Sequence, residues 1–242
     1  MPKLLSIAWI SFFAFLTISV VQAGPATAHK IESFEMAKEL LPELYKGHQK
    51  SFYCGCAYTE SSAIEANSCG YMPRKQTDQG SRMVWAHVVP AQLLGAQRTC
   101  WREATCSGKD GQPVQGHGCC SRVDPLFRAM EADLHNLVPA IGELNTDRGH
   151  KGFTRVLDEF RHYGACDFEV DFKANQVEPT RQIRGDIARI YWYMRDTYGI
   201  RISDRQQRVF EVWVEMDEVD DWERERNRRI MKIQGNGNPY IQ

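Results

Sequence analysis

The sequence predicts a mixed α+β domain stapled by disulfides, and three observations carry that reading. Short β-branched or aromatic runs alternate with segments whose apolar residues recur at helical spacing. Eight cysteines follow an export leader, an even count in a compartment where disulfides persist. Between residues 82 and 147 a strand, a connection, a second strand and a helix succeed one another, the order a ββα unit needs.

Residues 1–23 read as a secretory leader: Lys3 gives the positive start, Leu4 to Val21 is apolar, and Val21-Gln22-Ala23 is a small-residue cleavage site, with a second cut available after Ala28. The remainder, 24–242, has no Pro/Gly/Ser linker and is expected to be one domain, periplasmic or secreted, with no stable membrane association once the leader is removed. Residues 33–45 carry Phe34, Ala37, Leu41 and Leu44 at helical spacing, with Pro42 expected to bend or end the helix. Phe52 to Tyr58 is short, aromatic and cysteine-flanked, as suits a strand or a stapled loop.

The run from Arg82 to Val89 is a strand that Pro90 ends, and it contains His87. A single histidine among valines is an ordinary half-buried histidine. A second polar cluster changes that reading: Asp133-Leu134-His135-Asn136, followed by Glu143-Leu144-Asn145-Thr146-Asp147, lies about fifty residues on, so two clusters suggest one site. The intervening chain is expected to make a helical turn over 92–101, an exposed cysteine-bounded loop over 106–120, and a helix started by Asp124-Pro125. Residues 133–138 then form the second strand and 141–147 the helix.

Phe153 to Tyr163 has helical periodicity and Phe168 to Phe172 alternates like a half-buried strand. The longest helix is introduced by Glu178-Pro179-Thr180 and runs to about Tyr198, with Ile183, Ile187, Ile190 and Met194 inward. Its arginines, among them Arg184 and Arg189, are expected to leave the other sectors basic, either as a solvated face or as one that meets phosphates. A further helix spans 204–216, a charged segment follows, and the tail from Gly235 is turn-rich.

The formal net charge is −1, so nucleic-acid binding requires a local basic face rather than overall charge. A zinc site at Cys106, His117, Cys119 and Cys120 lacks the usual ligand-pair spacing, and cross-links are the expected state. Cys56 with Cys69, Cys100 with one of 106, 119 or 120, and Cys54 with Cys166 are plausible bridges, but spacing alone does not decide connectivity.

Several ordered motifs carry a resemblance. Phe52-Tyr53-Cys54-Gly55-Cys56, Ser68-Cys69-Gly70-Tyr71, Trp85-x-His87-Val88-Val89-Pro90-Ala91, Met130-Glu131-Ala132-Asp133-Leu134-His135-Asn136-Leu137, Arg184-Gly185-x-Ile187-Ala188-Arg189 and Gln234-Gly235-Asn236-x-Asn238-Pro239 resemble the bacterial endonuclease I family of periplasmic or secreted nucleases. The resemblance covers nearly all of the mature chain. It implies a ββα-metal (His-metal finger) site, cleavage of DNA and also RNA with little sequence preference to 5′-phosphate and 3′-hydroxyl ends, and a divalent cation, usually Mg2+. The chain is read as a monomer.

By the same resemblance His87 is the general base, Asn145 a metal ligand and Glu131 a further acidic catalytic residue. His135 and Asn136 brace the strand, with Asn136 a fallback ligand. A transition-state arginine is implied in the loop after Cys100-Trp101, which is realigned here, so Arg102, Lys109, Arg122 or none fills that role; Arg122, Arg184 and Arg189 are the expected nucleic-acid contacts. One position departs from the pattern: where the family has Trp-Glu-His, with the Glu a principal metal ligand, this chain has Trp85-Ala86-His87. A methyl group coordinates nothing, and losing a ligand carboxylate costs on the order of a hundredfold in rate. The rival expectations are a nucleic-acid-binding protein that no longer cleaves, and a cysteine-stabilised envelope protein with no nucleic-acid role.

Overall fold

The computed structural model describes residues 31–75, 77–157 and 161–242, so the leader assignment lies outside the described residues. Ser33 caps helix α1 (Phe34–Leu44), its hydroxyl accepting from the Met36 amide at 3.2 Å. Pro42 sits inside this helix rather than ending it. It comes within the last turn, where little helix is left to break. The segment 50–82 is a series of turns and isolated bridges, stapled by Cys56–Cys69 and tied by Cys54–Cys166 to a distant part of the chain.

Strand β1 (Met83–His87) leads through Pro90 into the short helices α2 (Ala91–Gly95) and α3 (Thr99–Arg102). The segment expected as an irregular loop instead contains a small hairpin, β2 (Cys106–Ser107) and β3 (Pro113–Val114), and a helix, α4 (His117–Val123). Its order comes from Cys100–Cys120 and Cys106–Cys119, which bury Cys119 and Cys120 completely. Cys54–Cys166 and Cys56–Cys69 are the bridges expected, Cys100 takes Cys120 among its three candidates, and Cys106–Cys119 pairs the two left over; since every cysteine is bridged, no thiolate is left for zinc. Asp124 then caps α5 (Pro125–Ala132), accepting from the Phe127 amide at 3.0 Å with Pro125 at the first helical position.

The second strand begins later than expected. Asp133 accepts from the His135 amide at 2.9 Å and turns 134–136 into a single 3-10 turn, so β4 is Leu137–Ile141. It pairs antiparallel with β1, His87 opposite Leu137 and Ala86 opposite Val138, and runs directly into α6 (Gly142–Arg148). The ββα order is therefore present, assembled from segments about fifty residues apart.

A three-stranded sheet follows, with β5 (Gly152–Phe153) parallel to β7 (Gln176–Glu178) and β6 (Glu169–Asp171) antiparallel to it. The helix expected over 153–163 does not form in the described part: Phe153 is in β5 and Leu157 is 93% exposed, while Phe160 lies outside the described residues. The parallel pairing of β5 has overridden the helical spacing. Helices α7 (Arg184–Tyr198), α8 (Asp204–Met216) and α9 (Asp221–Gln234) complete the chain, α9 opening with a reciprocal capping box between Asp220 and Glu223. Gly185 is needed where α7 meets the end of α8, because a Cβ there would lie 2.0 Å from the Asp217 carbonyl oxygen.

Two cores result. The main one gathers β1, β4, the central helices and the small sheet, and a smaller one packs α1 against α5, β4 and α9 through Leu41, Leu44, Ala132, Leu137 and Ile230. No described helix is long and apolar enough to cross a membrane.

Candidate functional site

The turn between α5 and β4 is fastened from behind. Arg226 of α9 donates to the carbonyls of Leu134, His135 and Leu137 at 2.8, 3.0 and 3.1 Å, and Gln234 accepts the Leu134 amide at 2.8 Å. The hydroxyls of Tyr193 and Tyr198 both donate to Asp133 at 2.7 Å. Asn136 accepts the Val89 amide at 2.7 Å and donates to the Val89 carbonyl at 3.0 Å. Its amide is consumed in locking the end of β1 to the start of β4, so Asn136 braces and offers no ligand. His135 is fully buried, with Nε2–H donating to the Asn236 carbonyl at 3.1 Å.

On this frame His87 is half-buried, its ring 4.8 Å from that of Phe34. Nε2 lies 2.8 Å from the main-chain carbonyl oxygen of Glu131. A carbonyl only accepts, so Nε2 carries the hydrogen and Nδ1 is left with its lone pair. Burial pushes the imidazole below its ordinary pKa, with the charges of His117 and Arg148 acting in the same direction, while the bond to the Glu131 carbonyl and the charge of Glu131 oppose it. The ring is therefore neutral near pH 7, and Nδ1 makes no hydrogen bond among the described residues.

Arg148, at the end of α6, holds the strand end from the other side. It is 1% exposed, donates to the carbonyls of His87, at 2.9 Å, and Val88, and lies 4.7 Å from the centre of the Phe153 ring. No carboxylate neutralises it among the described residues; carbonyl oxygens and an aromatic face take its terminal nitrogens and its plane, while Nε is buried without a hydrogen-bond partner among those residues.

Glu131 serves the site with both ends. Its carbonyl fixes the His87 tautomer, and its buried carboxylate accepts from His117 Nε2–H and from the Ser121 hydroxyl, the latter at 3.3 Å. The hydrogen bond His117 donates to the Glu131 carboxylate holds the imidazole above its ordinary pKa, partly opposed by burial. Neither His117 nor Ser121 was singled out for this site from the sequence, where His117 drew attention only as a zinc ligand. Its position became informative once two disulfides had folded the loop against α5.

Asn145 projects from α6, half-buried, and its side-chain amide makes no hydrogen bond among the described residues. The neighbouring carboxylates of α6 are spent on structure. Glu143 accepts from the Tyr71 hydroxyl at 2.6 Å and from the Arg74 and Lys75 amides at 3.0 and 2.7 Å, while Asp147 pairs with Arg74 at 2.8 Å and accepts from the Tyr163 hydroxyl at 2.8 Å. Ala86 is 1% exposed, its methyl part of the main core. The oxygen donors here thus reduce to the Asn145 amide, with a methyl at 86 and the Glu131 carboxylate already engaged. Among the described residues no three His, Cys, Asp or Glu side chains gather into a metal site. The donor set does not fit a metal ion caged by the protein alone.

Two of the expected nucleic-acid contacts require correction. Arg189 is buried rather than on a basic outer face, bonded to Glu223 at 2.5 and 2.8 Å and to the Asp217 carbonyl at 2.8 Å. Arg184 is paired with Glu178 at 2.6 Å, donates to the Pro179 carbonyl and lies against the Trp213 ring. The helix has the expected spacing; β7, α8 and α9, packed against α7, take up these two guanidiniums. Arg122 is exposed and held by the Gly118 and Ser107 carbonyls at 3.1 Å each. Neither it nor Arg102 or Lys109 forms a hydrogen bond or ion pair with the His87, Glu131 and His117 group.

Five cations without a carboxylate partner among the described residues line a trough instead. It starts near Pro90, beyond the end of β1, between His150, Lys151, Tyr191 and Arg201. It continues past Gly152 and Gln206 to Arg205, and opens into a cleft bordered by Arg155, Arg208, Val212 and Trp213. Of the acids of that cleft, Glu178 is paired with Arg184, Asp167 with Arg161 at 2.9 Å, and Glu169 accepts from the Arg161 amide at 2.9 Å. Lys151, Arg155, Arg201, Arg205 and Arg208 have no ion-pair partner among the described residues.

The Endonuclease I family pattern matches residues 37–242. An extracellular deoxyribonuclease of Aeromonas hydrophila is 42% identical over 231 residues, 94% of this chain and 95% of the relative. A periplasmic deoxyribonuclease of the same organism is 41% identical over 231 residues, 94% of this chain and 92% of the relative. Endonuclease-1 of Buchnera aphidicola subsp. Acyrthosiphon pisum is 38% identical over 214 residues, 87% of this chain and 81% of the relative.

Proposed function

The chain belongs to the Endonuclease I family, and from that membership we propose that it is an exported, periplasmic or secreted, endonuclease acting on the phosphodiester bonds of DNA and RNA without sequence preference, with its cleavage attenuated by Ala86. The observation that carries this reading is the fixed tautomer of His87. With Nε2–H held by the Glu131 carbonyl, Nδ1 takes a proton from a water as its oxygen bonds to phosphorus and the P–O3′ bond breaks; the departing 3′-oxygen is protonated from solvent, leaving a 5′-phosphate and a 3′-hydroxyl. Asn136 and Arg148 keep the strand end still while this happens, a positioning role that pre-organises the base.

Binding is proposed to rest on phosphate contacts along the trough of Lys151, Arg201, Arg205 and Arg208, since these charges are not neutralised internally. Such contacts read no sequence and weaken steeply with salt. A divalent cation such as Mg2+, when bound, supplies charge stabilisation at the phosphoryl oxygens; here the residues offer it the Asn145 amide and little else.

The test is cleavage of plasmid DNA and of RNA with magnesium by the oxidised mature chain, by Ala86→Glu and by His87→Ala. Cleavage that His87→Ala lowers by about a hundredfold or more supports the assignment. Cleavage unchanged in His87→Ala rejects it. The buried methyl at 86 favours one second reading, a protein that binds nucleic acid and does not cut. That reading predicts retention without cleavage at any magnesium concentration.

A further inference from the structure

The resemblance implies an arginine in the loop after Trp101, and Arg102, Lys109 and Arg122 make no hydrogen bond or ion pair with the His87 and Glu131 group. One other group from the loop does. His117 stands at the start of α4, two residues before Cys119 and three before Cys120, so both disulfides of the loop hold its backbone. Its Nε2–H is bonded to the carboxylate of Glu131, the residue whose carbonyl holds the base. The rings of Trp101 and Phe127 meet it edge-on at 6.5 and 5.8 Å. The imidazole and its partner differ sharply in exposure: the His117 side chain is 56% exposed and that of Glu131 is 5% exposed. Nδ1 makes no hydrogen bond among the described residues. The pair therefore presents one imidazole donor outward, beside His87, with its negative partner hidden behind it.

We propose that His117 is the cation that meets the phosphate at this site, in the place for which the resemblance implies an arginine. The inference rests on the reading of His87 as the base. In this arrangement His117 Nδ1–H donates to a non-bridging phosphate oxygen, and its charge opposes the charge that grows on the phosphoryl group as water attacks. The Glu131 carboxylate favours the cationic form of the ring, raising its pKa above the ordinary value against the opposing effect of burial. The other charged or titratable groups facing it are few: His87 on β1, with Arg148 behind it, and on its own helix Arg122, which is turned to the Ser107 carbonyl. An arginine would stay charged throughout the working range; an imidazolium does not. Phosphate affinity in this chain accordingly falls as pH rises through the elevated pKa of His117.

The experiment measures binding of a short fluorescein-labelled single-stranded DNA by anisotropy, with EDTA present, from about pH 5.5 to 9, a range that brackets an elevated histidine pKa. The oxidised chain is compared with His117→Arg and His117→Gln. The affinity of the unsubstituted chain should fall about tenfold across the range, the loss of one charge-assisted hydrogen bond. His117→Arg should hold its affinity, and His117→Gln should be weak and flat. In parallel, nitrogen-15 imidazole spectra of the unsubstituted chain are recorded with dimethyl phosphate, which should raise the pKa of His117 and shift its Nδ1 resonance. That measurement needs no variant to fold.

Equal pH dependence in the unsubstituted chain and His117→Arg overturns the inference and leaves the nucleic-acid reading standing, as does an imidazole unmoved by dimethyl phosphate in a chain that binds DNA. Absence of DNA binding at every pH overturns both.

Discussion

Protonation of the unfolded chain at His135 should make this fold lose stability below neutral pH. The imidazole is 0% exposed, its Nε2–H is committed to the Asn236 carbonyl, and its Nδ1 is buried with no partner. A second proton has no acceptor there. Burial pushes the pKa down to about 4 from an ordinary 6.5, with the charge of Arg226 in the same direction and that of Asp133 opposing it. The sign follows from which state binds the proton. Above pH 6.5 both states are neutral at this residue and its contribution is constant; between 6.5 and about 4 the unfolded chain takes a proton that the folded one refuses, so stability falls with pH. At about 1.4 kcal/mol per pH unit, the loss across that window is roughly 3 kcal/mol. Below the folded pKa the slope from this residue disappears. The assay is urea unfolding of the disulfide-intact chain at pH values from about 7 to 4, beside His135→Gln, which keeps an N–H donor but does not titrate. The variant starts from a lower stability because the ring packs 4.4 Å from that of Tyr193. What matters is the slope, which should be shallower in the variant by more than about 1 kcal/mol per pH unit. Parallel slopes would refute the argument, because every other group that titrates, His87 included, is common to both proteins.

Removing the buried guanidinium by Arg148→Met leaves the His87 and Val88 carbonyls without their donors and should cost about 3 kcal/mol, read as a lower urea midpoint, together with a loss of cleavage at temperatures where the variant is still folded. Ala86→Glu should raise magnesium-dependent cleavage on the order of a hundredfold while lowering stability by about 1–3 kcal/mol, since position 86 is 1% exposed; plasmid nicking and unfolding curves on one preparation check both. The double substitution Arg205→Glu and Arg208→Glu should weaken DNA binding at low salt and flatten its salt dependence by about two in log–log slope. Arg189→Gln, by contrast, should act through stability alone, because it strands Glu223.

Much of the site was legible because its residue types are unusual for their places. A histidine ending a β-branched run, an Asp-Leu-His-Asn turn and an asparagine in a short helix all stood out from the packing pattern, and the order of strand, strand and helix could be read from periodicity. The resemblance then assigned roles to His87, Glu131 and Asn145, and it also exposed Ala86 as a departure, since an alanine in a strand draws no notice otherwise. The disulfides were within reach of the same reasoning, as an even count in an exported chain.

Other features depended on contacts that join residues far apart in the chain. Local periodicity says which face of α7 is polar, but only the docking of α8 and α9 decides whether a polar face meets water. Arg189 went into an ion pair, while Lys151, Arg155, Arg201, Arg205 and Arg208 came together along the trough. The helical spacing over 153–163 was outweighed by pairing of Phe153 with Val177, a contact no window of that length contains. His117 acquired its place from two disulfides and a carboxylate on the next helix, and Arg148 from carbonyls sixty and sixty-one residues away. The sequence by itself determined which chemistry the chain can carry, because residue types and their order set the donors, the acceptors and the elements. The tertiary structure decided which of those groups remain free to act, because a hydrogen bond or ion pair made inside the fold removes a group from the site, and such bonds are set by long-range packing.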